Sequence, residues 1–78
     1  MSFETISVIG LGYIGLPTAA MFASRKKKVI GVDVSKNVVE TINRGEIHIV
    51  EPELDMLVHA AVSQGYLRAS LVAEAADA

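Results

Sequence analysis

The fold of this chain is decided by the stretch from Thr5 to Pro17, which reads Thr-Ile-Ser-Val-Ile-Gly-Leu-Gly-Tyr-Ile-Gly-Leu-Pro. Its opening run, Thr5–Ile9, is mostly apolar and β-branched, which predicts a short buried strand. Residues 10–15 form a glycine turn, and residues 13–24 are nearly all small or apolar and predict a helix. Because Pro17 fits only near the start of a helix, where backbone N–H groups lack partners anyway, it ties the helix start to the glycine turn.

The middle of the chain predicts a second strand and a second helix. Residues 27–34 contain the apolar run Val-Ile-Gly-Val and predict the strand. Ser35 is placed to cap a helix predicted over Lys36–Asn43, whose apolar residues recur at helical spacing. Gly45 suits the left-handed position at which such a helix ends.

An irregular connection over residues 46–50 leads to a third helix, predicted over residues 51–64. Acidic residues crowd its start, where the helix dipole is positive. Its buried face is expected to comprise Leu54, Leu57, Val58, Ala61 and Val62. Gly65 ends the helix, residues 67–72 predict a third strand, and residues 73–78 resemble the start of another helix.

This alternation of strands and helices predicts the α/β class. The connections between the strands are long enough for parallel crossovers, which are right-handed in about 98% of cases. We therefore expect a Rossmann-like βαβαβ half-domain, with a three-stranded parallel sheet in the order 3-2-1 and the helices mainly on one face.

The composition excludes several classes of protein. Hydrophobic residues make up 51% of the 78 residues and charged residues 21%, which excludes intrinsic disorder. The net charge of −2 offers no basic surface for nucleic acid, and the absence of cysteine excludes a disulfide scaffold and a thiolate metal site. Residues 5–24 carry no charge, but glycines and a proline interrupt them and Glu4 precedes them, so a cytoplasmic chain is favoured over a membrane or signal segment.

The glycine turn carries the pattern G-x-G-x-x-G, in which each glycine has a steric reason. Gly10 turns the chain sharply, Gly12 leaves room for a pyrophosphate to approach the backbone, and Gly15 lets the helix pack closely. The backbone N–H groups of Tyr13 and Ile14 lie at the start of the helix and are natural phosphate donors. The alternative is a turn that binds nothing, and the Tyr13 ring is expected either to be half-buried or to contact a cofactor.

Asp33 follows at the end of the second predicted strand, 18 residues after Gly15, where an acid can bind the adenosine ribose. A carboxylate there accepts both ribose hydroxyls and repels a 2′-phosphate, which favours NAD over NADP. Lys36 is placed either to reach the ribose or a phosphate or to lie in solvent. His59 is expected at the surface, and His48 lies in the irregular loop with no neighbouring metal ligands in the sequence.

These residues resemble the N-terminus of the UDP-glucose/GDP-mannose dehydrogenase family. Residues 7–17 are similar to the family's opening strand and glycine loop, and residues 29–33 to its second strand and ribose acid. Residues 42–45 and 49–52 are similar to its loop before the third helix, and residues 67–69 to its third strand. It implies NAD as the cofactor and a two-step oxidation of the C6 alcohol of a UDP-sugar to a carboxylate. The positions carried over for cofactor binding are Gly10, Gly12, Tyr13, Ile14, Gly15 and Asp33.

The resemblance also implies that residues 1–78 are the N-terminal part of an NAD-binding Rossmann domain that stops before its fourth strand. The cysteine nucleophile and the lysine of the family's chemistry are expected further along the chain, so no catalytic residue and no metal ligand is assigned here. A half-domain leaves one sheet face and the edge of the first strand uncovered, which favours self-association. The alternative function is a non-catalytic, self-associating module that binds nucleotide weakly or not at all.

Overall fold

The structure is a computed structural model that describes residues 5–73. Its elements follow the predicted order: β1 (Thr5–Ile9), α1 (Gly15–Ser24), β2 (Lys28–Val32), α2 (Lys36–Asn43), α3 (Leu54–Ser63) and β3 (Leu67–Ser70). The predicted bounds of β1 and α2 are confirmed. The predicted Ser35 cap is confirmed as well, because its hydroxyl accepts a hydrogen bond from Val38 N over 3.3 Å.

The three strands form a parallel sheet with β2 in the centre, flanked by β1 and β3. This is the predicted order. The register places Ile6 beside Val29 and Val29 beside Leu67. Side chains of a strand alternate between the two faces of a sheet. Ile6, Val29 and Leu67, and every second residue after them in each strand, therefore point to the same face.

The helices supply the core on that face. Their buried side chains, among them Leu16, Ile42 and Val58, form one cluster with Val29 and Leu67 of the sheet. Burial of these apolar side chains stabilises the fold by about 1.5–3 kcal/mol for each large residue. The prediction that the helices lie mainly on one face is confirmed.

The opposite face is less exposed than the sequence suggested. Ile30 and Val32 of the central strand are only 7% and 8% exposed, whereas Ile9 of β1 is 71% exposed. The expectation of an uncovered apolar face therefore holds at β1 and is wrong for β2.

Several predicted elements are longer than the observed ones. Helix α1 begins at Gly15 because residues 12–14 belong to the turn, and α3 begins only after Glu53, whose φ of 66° is left-handed. The predicted burial of Leu57 is wrong, since it is 44% exposed and lines a groove with Pro17 of α1. The helix predicted over residues 73–78 lies largely outside the described residues.

Asn43, the last residue of α2, closes the outer edge of β3. Its side-chain nitrogen donates to Ala69 O over 3.0 Å, and its side-chain oxygen accepts from Ala69 N over 2.8 Å. The carboxamide thus takes the hydrogen-bonding position that a neighbouring strand would fill. An edge satisfied in this way is a poorer template for pairing with another chain.

Within residues 5–73, no helix has the length and apolar character needed to cross a membrane.

Candidate functional site

The site lies where the carboxyl ends of β1 and β2 meet. The chain leaves β1 through Gly10, whose φ of +86° is a conformation that residues with a Cβ rarely adopt. The N–H of Gly10 donates to Val32 O over 2.7 Å, which ties the turn to the end of β2. The predicted role of Gly10, a sharp turn out of the strand, agrees with this geometry.

Gly12 and Gly15 differ in the space around them. A Cβ on Gly12 would meet no heavy atom within 4 Å, so this side of the turn is open. A Cβ on Gly15 would overlap the carbonyl oxygen of Gly10, and would lie 3.7 Å from Val8 Cγ1 on the strand. The close approach at Gly15 is therefore made chiefly to the turn itself and less to the strand.

Tyr13 and Ile14 stand at the N-terminal end of α1. Their backbone N–H groups donate to no residue within the described range 5–73, whereas the next turn is already helical, with Leu16 N donating to Gly12 O over 3.0 Å. The Tyr13 side chain is 69% exposed and that of Ile14 is 83% exposed. The expectation of a half-buried Tyr13 ring is thus wrong, because the turn projects the ring away from the core.

Asp33 directly follows β2, and its carboxylate connects two backbone segments. Oδ2 accepts from Leu11 N over 3.0 Å, and Oδ1 accepts from Ser35 N over 2.9 Å. These backbone hydrogen bonds, the one from Leu11 foremost, hold the pKa of Asp33 below its ordinary value. A carboxylate has about four lone-pair sites, so its capacity to accept exceeds the two hydrogen bonds from Leu11 and Ser35.

Two features of this arrangement were missed in the sequence. Leu11 is fully buried beneath the turn, and a Cβ on Gly31 of β2 would lie 2.6 Å from Leu11 Cδ2. Gly31 therefore makes room for the side chain that holds the turn down.

His48 is the second feature, because a Coulombic interaction with it lowers the pKa of Asp33, although less than the backbone hydrogen bonds from Leu11 and Ser35 do. Its Nδ1 is buried and has no hydrogen-bond partner among residues 5–73. Nothing in the sequence placed this loop residue near Asp33, because the loop folds back only in the tertiary structure. Lys36 is exposed at the start of α2.

The structure thus gathers all six predicted positions at one edge of the sheet: Gly10, Gly12, Tyr13, Ile14, Gly15 and Asp33. The unpaired N–H groups and the positive end of the α1 dipole suit an anion, and the carboxylate suits hydroxyl donors. Within the described part of the chain, no cluster of three histidine or acidic side chains is arranged to hold a metal ion.

Comparisons with known proteins agree with this geometry. Residues 4–78 match the NAD binding domain of the UDP-glucose/GDP-mannose dehydrogenase family. A UDP-N-acetyl-D-mannosamine dehydrogenase of Yersinia pestis is 76% identical over 78 residues, which are 100% of this chain and 19% of that protein. An NDP-N-acetyl-D-galactosaminuronic acid dehydrogenase of Ralstonia nicotianae is 68% identical over 78 residues, again 100% of this chain and 18% of that protein.

Solved structures show the same relationship. The native structure of the UDP-N-acetyl-mannosamine dehydrogenase of Staphylococcus aureus has a TM-score of 0.90 and 41% identity, over 94% of this chain and 18% of that one. The chain spans about a fifth of the length of the curated relatives it matches. The match over residues 4–78 shows that the chain belongs to the UDP-glucose/GDP-mannose dehydrogenase family, to the part that forms its NAD-binding domain.

Proposed function

We propose that the glycine turn and Asp33 together bind NAD. One observation carries this proposal: the hydrogen bond from Leu11 N to Asp33 places the carboxylate beside the turn, in which the N–H groups of Tyr13 and Ile14 have no partner among residues 5–73. Both halves of a dinucleotide site, the phosphate donors and the ribose acceptor, thereby share one edge of the sheet.

Each residue has a distinct role in this proposal. The pyrophosphate lies over Gly12, where the absence of a Cβ leaves open space, and accepts from the N–H groups of Tyr13 and Ile14. The remaining lone pairs of Asp33 accept the two hydroxyls of the adenosine ribose. The same negative charge repels the 2′-phosphate of NADP. NAD itself, when bound, supplies the hydride acceptor for an oxidation.

For the whole protein, we propose that residues 1–78 form the N-terminal part of the Rossmann domain of a UDP-sugar 6-dehydrogenase in the cytoplasm. The substrate we propose is UDP-N-acetyl-D-mannosamine, oxidised to the mannosaminuronate for a surface polysaccharide such as enterobacterial common antigen. Similarity to the Yersinia pestis enzyme supports this sugar. In this proposal the catalytic groups and the sugar-binding residues lie outside these 78 residues, so this segment alone is inactive.

Isothermal titration of the chain with NAD tests the binding site. We expect saturable binding that Asp33→Ala weakens about tenfold or more, because two charge-assisted hydrogen bonds to the ribose are lost. Glu40→Ala removes an exposed acid from α2 and is the matched control, expected to bind as the unaltered chain does. Equal affinity of the Asp33→Ala and Glu40→Ala variants would contradict the assignment.

For the substrate, NADH formation by the full-length protein is compared between UDP-N-acetyl-D-mannosamine and UDP-glucose.

We also propose, as an alternative function, self-association through the outer edge of β1. Asn43 closes the edge of β3, whereas β1 pairs only with β2 among the described residues and exposes Ile9. Multi-angle light scattering is expected to show a dimer or larger species that Ile9→Lys dissociates, because a charge on an edge opposes strand pairing. A stable monomer at all concentrations would exclude this alternative.

A further inference from the structure

The central strand β2 has a glycine in its interior. Gly31 lies beside Val8 of β1 and Ala69 of β3 in the parallel register. A glycine inside a strand weakens it, because it gives the unfolded chain more freedom and packs no side chain. The φ of Gly31 is not left-handed, so its backbone conformation does not require a glycine. The reason for this glycine is therefore the space that a side chain would occupy.

The side chain of Leu11, in the glycine turn, fills that space. A Cβ on Gly31 would lie 2.6 Å from Leu11 Cδ2, 2.9 Å from Cδ1 and 3.2 Å from Cγ, and no other heavy atom would be nearer to it. Leu11 is fully buried and belongs to the core cluster that also contains Leu16 of α1 and Val39 of α2. In a core packed this closely a displaced leucine side chain has little room, so the displacement passes to its backbone.

The backbone of Leu11 is part of the candidate cofactor site. Its N–H donates to Asp33 Oδ2 over 3.0 Å, and the next residue is Gly12, over which the pyrophosphate is proposed to lie. Gly10 and Gly12 on either side have no Cβ, so the backbone can bend there and an outward shift of Leu11 moves the turn with it. The depth at which Leu11 sits above Gly31 thus sets the distance between the turn and Asp33.

We propose that Gly31 and Leu11 are positioning residues of the dinucleotide site. The gap at Gly31 receives the Leu11 side chain and thereby fixes the turn at the distance from Asp33 at which both contact one dinucleotide. The inference rests on the proposed binding of NAD. Gly31 and the Leu11 side chain are buried, so they act through the backbone of the turn and do not touch the dinucleotide. A methyl group at position 31 therefore lifts the turn and weakens NAD binding without removing a group that contacts NAD.

Calorimetric titration of Gly31→Ala with NAD tests the inference. We expect the dissociation constant to rise about tenfold, an effect of the size found between residues in contact. Leu11→Val lacks both Cδ atoms that the new Cβ would overlap. The double variant that combines Gly31→Ala with Leu11→Val is therefore expected to bind NAD within about threefold of the unaltered chain, although each change alone disturbs the core.

The control for a loss of stability alone is Val58→Ala, which removes two buried methyl groups from α3. Its affinity for NAD is expected to equal that of the unaltered chain, and circular dichroism shows that each variant is folded.

Hydrogen exchange of the chain without NAD tests the position of the turn independently. The Leu11 amide is expected to exchange about tenfold faster in Gly31→Ala and to recover in the double variant, because its hydrogen bond to Asp33 is lengthened and then restored. The internal control is the Val29 amide, which donates to Tyr66 O over 2.7 Å at the amino end of β2. Equal acceleration at both amides would indicate a general loss of stability and would overturn the inference.

The outcomes separate this inference from the proposed function. If NAD binds and Asp33→Ala weakens it, yet Gly31→Ala binds as the unaltered chain does, the proposed function stands and Gly31 has no positioning role. If Leu11→Val fails to rescue Gly31→Ala in affinity or in folding, the overlap with Leu11 is not the cause and the inference is wrong. If the unaltered chain does not bind NAD, the proposed function fails and this inference fails with it. Affinity lost in Gly31→Ala, recovered in the double variant and unchanged in Val58→Ala supports the inference.

Discussion

The backbone N–H of Leu11 and the carboxylate Oδ2 of Asp33 are joined by a 3.0 Å hydrogen bond across 22 residues of sequence. The other carboxylate oxygen accepts the N–H of Ser35, at the cap of α2. Asp33 thus holds the glycine turn against the end of β2 and also presents lone pairs at the proposed ribose position. A single side chain therefore contributes both to the stability of the turn and to the proposed binding of NAD.

Asp33→Asn is expected to lower the free energy of unfolding by about 1–2 kcal/mol, because an amide has one acceptor oxygen and its NH₂ group would face one of the two backbone donors. Urea denaturation measures this change. The control is Asp55→Asn, since among residues 5–73 the Asp55 carboxylate accepts only the N–H of the adjacent Met56 at the exposed start of α3. A loss no larger than that of the control would show that the Asp33 hydrogen bonds add nothing to stability.

The stability that Asp33 contributes should depend on pH in the acid range. Because its pKa in the folded chain is below the ordinary value, the contribution is complete above the pKa of an unfolded aspartate, about 3.9, and is lost as the pH falls through the lower folded value. The difference in unfolding free energy between the unaltered chain and Asp33→Asn is therefore expected to be constant near neutral pH and to shrink below about pH 4. A difference that stays constant down to the acid limit would contradict this prediction.

Gly12 and Gly15 form a matched pair for alanine substitution. Gly15→Ala is expected to destabilise the chain by about 3 kcal/mol or more, because the new Cβ overlaps the Gly10 carbonyl oxygen and backbone has to move. Gly12→Ala meets no atom, and its φ is outside the left-handed region, so its unfolding free energy should change by less than about 0.5 kcal/mol. The Gly12→Ala variant is nevertheless expected to bind NAD at least about tenfold more weakly, since its Cβ fills the space proposed for the pyrophosphate.

Circular dichroism and calorimetry on the two variants distinguish these effects. A folded Gly12→Ala chain with unchanged affinity for NAD would place the pyrophosphate elsewhere. A Gly15→Ala chain as stable as the unaltered one would mean that α1 shifts away from the turn without cost.

Asn43→Ala is expected to lower the unfolding free energy by about 1–2 kcal/mol, because both hydrogen bonds to Ala69 are lost and the outer edge of β3 is opened. Asn37→Ala, on the exposed first turn of the same helix, should change stability by less than about 0.5 kcal/mol. Hydrogen exchange at the Ala69 amide gives an independent measure, since that N–H loses its acceptor only in Asn43→Ala. Equal effects of the two substitutions would make the Asn43 cap energetically neutral.

Local patterns in the sequence predicted most of the architecture. The β-branched run of β1, the Ser35 cap of α2 and the glycine pattern of the turn each depend on neighbours a few residues away, and each agrees with the structure. The two helices that were predicted to begin too early begin after Gly12 and Glu53, where the backbone adopts turn conformations, and the second and third strands end two residues earlier than predicted. Helix propensity, which is judged over a short stretch of sequence, does not predict that these helices begin later. Tertiary contacts decide where the first helical turn forms.

The burial of individual side chains was harder to predict. Leu57 falls at helical spacing with its buried neighbours, yet it lies at the margin between α3 and solvent, since burial depends on how the two helices are placed and not on the period alone. The same reason applies to Tyr13, which the turn directs outward.

The sequence by itself determined the class of fold, the order of the strands and the six positions proposed for the cofactor, because glycine conformations, caps and apolar periods act over a few residues. Only the tertiary structure decided that Leu11 and Asp33 share a hydrogen bond and that Asn43 bonds to Ala69 at the outer edge of β3. Those relationships join residues far apart in the chain, and they exist only after the helices have packed on one face of the sheet and brought the loops to its edge.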